Sequence, residues 1–342
     1  MSWNGTLMRV LRRRWREGFL FALALLCASA PPHLVSHPGA TDETGGHSRS
    51  DGSYHFHSGP LAGTNFPSWA AAREAQPSIA TGTASGTVRI ASFNIRIFSN
   101  RSRNDTKLEK IAGVLAQYDL VAIQELRDAQ VLNRTTNFLT RLTGAQWRYE
   151  VSPPVGRGVK ELYAFLYRTD RVLVKTPGKI ITNEARNFIR PPYYATFRSG
   201  YFDFTLLTIH ALYKEPNAPE RKLEFDALAR VFTSLQHADP HEHDLILLGD
   251  FNDHPTNSRI AAIREIQNIS FLFNNPVRTT ISESSLYDNL WFQTNYVTEF
   301  TGEHGVDMFD ERLFGTNKPA ASLEVSDHRP VWAVFRTDKD DD

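Results

Sequence analysis

The chain has 342 residues, 41% hydrophobic and 22% charged, the proportions of an ordinary globular protein with enough apolar material for a sizeable core. They exclude wholesale disorder, a collagen-like fibre and a polytopic membrane protein. Basic and acidic residues balance at 38 each, so no global positive field draws the protein to a polyanion, and attraction to nucleic acid has to come from local arginines and bound cations.

In chain order the first feature is a basic stretch, Arg12, Arg13, Arg14 and Arg16, ahead of an apolar run over 19–30. That run is too short to span a bilayer comfortably and suits the core of a signal peptide, with Ala28-Ser-Ala30 as a cleavage candidate. Residues 1–30 are therefore expected to be a signal peptide or N-terminal anchor, giving a secreted or periplasmic location of bacterial type. The sole cysteine, Cys27, lies inside this segment, so the processed chain has no disulfide to stabilise it.

Residues 31–86 are rich in Gly, Ser, Thr, Ala, Pro and His with no sustained apolar period, and are expected to form a loose extension and linker. His55 and His57 point the same way in an extended chain, and with His47 they are a candidate second metal site suited to Zn²⁺. Gly45-Gly-His47 and Tyr54-His-Phe-His57 resemble the YHYH-type segment of some exported bacterial proteins.

The character changes at Val88, and residues 87–342 read as one catalytic domain. A strand is expected over 88–93, then a helix over 107–118 with Leu108, Ile111, Val114 and Leu115 on one face. A buried strand over 119–124 and a helix over 129–142 follow, the helix with Leu132, Phe138, Leu139 and Leu142 inward. Strands are expected in series over 147–151, 161–167, 171–181, 193–197 and 202–209. A helix over 219–236, apolar at Leu223, Leu228, Val231, Phe232 and Leu235, leads to a buried strand over 244–249, and a strand over 325–335 closes the chain. Two strand–helix–strand units separated by consecutive strands favour two packed sheets flanked by helices.

Polar residues stand where the buried strands run out: Asn94, Glu125, His210, Asp250 with Asn252, Asp288, and Asp327 with His328. Each has a structural reading of its own, such as a turn for Asn94, a cap for Asp250 and a core histidine for His210. Carboxylates carried together into one place need neutralising, and a hard divalent cation with oxygen ligands does that economically. Two histidines in the same set suit proton transfer near neutral pH.

Phe93-Asn-Ile-Arg96, residues 118–128 around Gln124-Glu125, Gly249-Asp-Phe-Asn252 and Ser326-Asp-His328 resemble the endonuclease/exonuclease/phosphatase superfamily, and within it the deoxyribonuclease I-like branch. Residues 151–157, Lys160-Glu-Leu-Tyr163, Arg190-Pro and Tyr287-Asp288 support the resemblance in the same order. It implies a four-layered α/β sandwich. It also implies Glu125 as principal Mg²⁺ ligand (Mn²⁺ able to substitute, Ca²⁺ as a stabilising ion), with Asn94, Asp250 and Asp327 around the metal.

The same resemblance pairs His210 with Glu161 and His328 with Asp288, one pair to deprotonate the attacking water and the other to protonate the leaving 3′-oxygen. We assign His328–Asp288 as the base and His210–Glu161 as the acid, with Asp250 and Asn252 given catalytic work on the scissile phosphate. Arg96, Arg127 and Arg190, with Asn252, would hold DNA. Val159 stands in the short loop over 156–160 where that branch has a DNA-contacting tyrosine. The expected function is an exported, divalent-metal-dependent endonuclease cleaving DNA with little sequence specificity. It would need no obligate protein partner and make no stable membrane insertion once the signal is removed. The alternatives are a sphingomyelinase or inositol-phosphate phosphatase on the same scaffold, and, from another class, a metal-binding interaction protein on an idle catalytic fold. The intact set of acids and histidines weighs against the last.

Overall fold

The structure is a computed structural model and describes residues 46–49, 51–56, 65–68, 86–215, 218–239 and 242–340. The expected signal segment 1–30, most of the extension, and His57 of the histidine cluster lie outside the described residues. Within the extension, β1 (Gly46–Ser48), β2 (Tyr54–Phe56) and β3 (Asn65–Phe66) form a small antiparallel sheet, a regularity that the polar composition does not announce.

From Thr87 onward the elements are β4 (Thr87–Phe98), α1 (Asp105–Leu115), β5 (Leu120–Leu126), α2 (Gln130–Thr143), β6 (Trp147–Val151), β7 (Leu162–Arg168), β8 (Leu173–Ile180) and β9 (Tyr193–Ser199). The second half runs β10 (Phe202–His210), α3 (Pro219–Gln236), β11 (Leu245–Asp250), α4 (Ala261–Arg264), β12 (Ile269–Phe271), β13 (Asp288–Gln293) and β14 (Phe300–Val306). Helices α5 (Phe309–Phe314) and α6 (Lys318–Glu324) precede the last strand, β15 (Val331–Arg336).

These strands make two six-stranded sheets, β12-β13-β11-β10-β9-β8 and β14-β15-β4-β5-β7-β6. Each sheet has one parallel pair, β10 with β11 and β4 with β5, because a helix carries the chain back between the two strands. Covered on both faces, these strands read as continuous apolar runs, and every residue of β10 and β11 is buried. Parallel pairing also brings C-terminal ends side by side, so Asn94 lies opposite Gln124 and His210 opposite Asp250.

Three apolar clusters separate the layers. One lies between the sheets, around Phe165, Phe197, Phe204, Leu248 and Phe335. A second packs the β4–β5 sheet on α1 and α2, and a third packs the β10–β11 sheet on α3. Helix, sheet, sheet, helix is the expected four-layered sandwich. Between the sheets a buried polar bridge runs from Gln124 Nε2 to Thr208 Oγ1 at 2.9 Å and to Ser92 Oγ at 3.1 Å.

Three sequence expectations need correction. The closing strand begins at Val331 rather than at residue 325, because Ser326, Asp327 and His328 turn into the site before the ladder resumes. Leu142 is exposed at the end of α2, where the helix has turned its buried face to Leu139. Leu223 is exposed on α3, and the polar pair Arg221 and Glu224 is buried instead. Among the described residues no helix is long and apolar enough to cross a membrane.

Candidate active site

The site lies where β4, β5, β10 and β11 end and β13 begins. In β4 the ladder with β5 slips between Asn94 and Phe98, and two non-glycine residues there, Ile97 and Glu125, take positive φ of 47° and 59°. Such a backbone costs free energy and persists only where its surroundings enforce it. Here the Ile97 N–H donates to Glu125 Oε2 at 2.9 Å, which fixes the carboxylate that the distortion turns out of the sheet. Ser326 ties the neighbouring loop to the same place: its hydroxyl donates to the Asn94 carbonyl at 2.6 Å and accepts the Arg96 N–H at 3.1 Å.

Asn94 is fully buried, and its Nδ2 donates to Asp250 Oδ2 at 2.9 Å and to Glu125 Oε1 at 3.3 Å. Asp250 Oδ2 also stands 3.6 Å from His210 Nε2 and 3.7 Å from His328 Nε2. Each imidazole is held from behind by another carboxylate. His210 Nδ1 is 2.7 Å from Glu161 Oε2, and His328 Nδ1 is 2.9 Å from Asp288 Oδ2. Asp288 is brought there by its place opposite Asp250 in the antiparallel β11–β13 ladder. A carboxylate on Nδ1 sets the tautomer and leaves Nε2 facing the site.

The charges are arranged unequally. Burial opposes ionisation of Glu161, but the hydrogen bond to His210 and the guanidinium groups of Arg190 and Arg127 outweigh it and hold the carboxyl below its usual range. Burial also opposes a charged His328, yet Asp288, Asp250 and Asp327 raise its pKa to about 10. Asp288 is pushed up by its own burial and by Asp250. The His328–Asp288 pair therefore carries a proton when these carboxylates have no other counter-charge.

Asn94, Glu125 and Asp250 form a continuous set through the Asn94 amide, and Asp327 lies at the rim, half exposed, 3.7 Å from Arg96 Nε. Ligand atoms of Asp250, Asp288 and His328 lie within 4.8 Å of one another. Asn94 Oδ1 and Asp288 Oδ1 are buried and have no hydrogen-bond donor among the described residues. Converging oxygens and orphaned acceptors fit a hard divalent cation, so the residues present suit one.

Of the expected substrate residues, Arg96 projects half-exposed beside Asp327. Arg127 reaches across Glu125 and Glu161, at 3.7 and 3.3 Å. Arg190 is more committed, with Nε 3.0 Å from Glu161 and Nη1 donating to the His210 carbonyl at 3.1 Å. Asn252, at φ 49°, donates its N–H to Asp250 Oδ1 at 2.8 Å and its Nδ2 to the Ala211 carbonyl at 3.0 Å. Val159 is 74% exposed at the tip of its loop. In the extension, His47 and His55 are directly opposed across β1 and β2 with ring centroids 6.4 Å apart, and His55 Nδ1 lies 2.7 Å from Asn65 Oδ1.

Several supporting residues were not singled out from the sequence. Glu224 accepts the N–H groups of Ile189 at 3.0 Å and Leu212 at 2.6 Å, bracketing the segments that carry Arg190 and His210. Tyr163 Oη accepts the His210 N–H at 3.0 Å. Arg103, also buried, donates to the Arg96 and Val325 carbonyls and pins the β4 distortion to the Ser326 loop. A charged residue on the apolar face of a helix, as at Glu224, is the one signal that sequence reading had available.

The Endonuclease/Exonuclease/phosphatase family pattern matches residues 91–328, from β4 to His328. The chain belongs to this family. A deoxyribonuclease of Thioalkalivibrio sp. (strain K90mix) is 31% identical over 259 residues, covering 72% of this chain and 71% of that protein. Deoxyribonuclease-1 of Equus caballus is 31% identical over 267 residues, covering 72% of this chain and 91% of its own length. Among solved structures, the human Nocturnin catalytic domain overlays with a TM-score of 0.51 at 14% identity, over 73% of this chain and 93% of that one. Truncated Caenorhabditis elegans TDP2 gives 0.51 at 17%, over 73% and 97%. Both structural matches bear on the fold. As a member of the Endonuclease/Exonuclease/phosphatase family with these relatives, the chain is a hydrolytic enzyme of the nuclease and phosphodiesterase kind.

Proposed function

We propose that this member of the family is an exported endonuclease that hydrolyses DNA phosphodiester bonds with little sequence preference and depends on a divalent cation. The observation that carries the reading is the convergence of two histidine–carboxylate pairs on one buried oxygen, Asp250 Oδ2, beside an oxygen-rich cluster. A phosphodiester seated there has one imidazole toward the attacking water and one toward the leaving 3′-oxygen. His328, oriented by Asp288, takes the water's proton once the charge of Asp250 and Asp327 is offset. His210, oriented by Glu161 and kept close to Arg190 and Arg127, returns a proton to the leaving oxygen. Each transfer is worth about 10²–10⁴-fold in rate.

Asn94, Glu125, Asp250 and Asp327 would hold Mg²⁺, or Mn²⁺ in its place, which supplies a counter-charge to the phosphoryl oxygens when bound. Asn252, held by Asp250 and the Ala211 carbonyl, positions its amide beside the phosphate. The deoxyribonuclease relatives and the arginines Arg96 and Arg127 at the rim support DNA as the substrate. An arginine in the minor groove senses groove width more than base identity, hence the low sequence preference. Export rests on the basic and apolar pattern of residues 1–30.

The test is nicking of supercoiled plasmid by the purified protein, with Mg²⁺ and with EDTA, beside sphingomyelin and inositol-phosphate hydrolysis. Cation-dependent nicking with the other two substrates at background is the expected result. Lipid or inositol-phosphate turnover without nicking overturns the reading.

A further inference from the structure

Arg221 stands buried in the first turn of α3, the end of a helix where the backbone dipole disfavours a cation. Its Nε has no hydrogen-bond acceptor among the described residues. A guanidinium placed at such a cost is held by what its two arms reach. Nη2 donates to the Asn252 carbonyl at 2.5 Å and lies 3.2 Å from Asp253 Oδ2, and Nη1 donates to the Lys214 carbonyl at 3.2 Å. Arg259 also grips Asp253, through Nε at 2.6 Å and Nη2 at 2.9 Å, so Asp253 keeps a counter-charge without Arg221.

The two carbonyls belong to the two segments that fix the Asn252 amide. Asn252 takes a φ of 49°, a strained backbone for a residue with a Cβ. In that conformation its N–H goes to Asp250 Oδ1, its Nδ2 to the Ala211 carbonyl and its own carbonyl to Arg221. Ala211 directly follows His210, and its N–H donates to the Asp250 carbonyl at 2.8 Å. Because Lys214 closes the same short segment, Arg221 ties the residues after His210 to the loop that carries Asn252. An amide nitrogen has two hydrogens, so one remains for a phosphate oxygen after the Ala211 carbonyl has taken the other.

We propose that Arg221 is a positioning residue for the hydrolysis, its two-armed grip holding the Asn252 amide in register with His210 at the end of β10. The inference rests on the reading of Asn252 as the group beside the phosphate. Without the guanidinium the Asn252 carbonyl loses its buried donor, and the backbone is released to leave the left-handed region and carry the amide away from Ala211. A lysine keeps the positive charge beside Asp253 but has no planar fork to span both carbonyls. Misplacing a positioned group by about 1 Å costs on the order of 10²-fold in rate.

Steady-state rates are measured for the parent, Asn252→Ala, and Arg221→Met and Arg221→Lys each alone and combined with Asn252→Ala, all checked for folding by circular dichroism and melting. The substrates are supercoiled plasmid and bis(p-nitrophenyl) phosphate in Mg²⁺, so that a wrong substrate class is told apart from a wrong role for Arg221. Arg221→Met and Arg221→Lys should each lower kcat by about 10–10²-fold, with little change in KM for plasmid because Arg96 and Arg127 are untouched. In the Asn252→Ala background the same substitutions should cost little more, since the group they position is gone. A merely structural role gives the same fold-loss in both backgrounds, and that result overturns the proposal. So does a parental kcat in folded Arg221→Lys, which carries the comparison alone if Arg221→Met does not fold. A parent that hydrolyses neither substrate overturns the functional reading and this inference with it.

Discussion

One oxygen of Asp250 faces both catalytic-candidate imidazoles, His210 Nε2 at 3.6 Å and His328 Nε2 at 3.7 Å, and takes a hydrogen bond from Asn94 at 2.9 Å. The two histidines come from different sheets' edges, and their common neighbour makes them one site.

That relationship predicts a divided outcome for Asp250→Asn. The amide keeps the shape and removes the charge, so nicking should fall by at least ~10²-fold, within the usual span for loss of a catalytic group. Stability in EDTA should hold or rise, since a buried anion is removed from beside Asp288. Nicking rates and thermal melts on the same preparation check both halves.

His210→Ala and His328→Ala should each cost about 10²–10⁴-fold in nicking rate with little change in Tm. Groups acting in one step lose activity non-additively. The double variant is therefore expected close to the worse single, as measured by initial rates on plasmid.

Glu161 gives the pH prediction. Its carboxyl titrates below the ordinary glutamate value of about 4.3, so folding favours the ionised form. The resulting stability is fully present above that value and is lost as pH falls through the lower folded-state pKa. The gap in urea stability between the parent and Glu161→Gln should thus narrow as pH is taken from neutral to about 3.

Gln124→Ala removes the polar bridge between the sheets and leaves Thr208 and Ser92 buried without it. The loss should be about 1–3 kcal/mol by urea unfolding.

Much of this was legible in the sequence because burial on both faces writes itself as continuous apolar runs. Residues 120–123 and 245–248 could be read as strands for that reason, and the polar residues that follow them as a site. Motif order then supplied the pairing of His210 with Glu161 and of His328 with Asp288, which lie 49 and 40 positions apart along the chain. What stayed hidden depends on tertiary partners. The spacing of α3 puts Glu224 in line with Leu228, Val231 and Leu235, but it does not reveal what holds a carboxylate there, because the partners of Glu224 are backbone N–H groups of distant loops. The slip between Asn94 and Phe98 and the positive φ at Ile97 and Glu125 are likewise imposed by the Ser326 loop and Arg103.

The most direct test of the account is plasmid nicking in Mg²⁺ by the parent, His210→Ala and His328→Ala side by side, with the product ends analysed. The account predicts nicks bearing 3′-hydroxyl and 5′-phosphate from the parent, abolished by EDTA and slowed at least ~10²-fold by either substitution in a folded protein. Nicking that persists at the parental rate in both variants would contradict it.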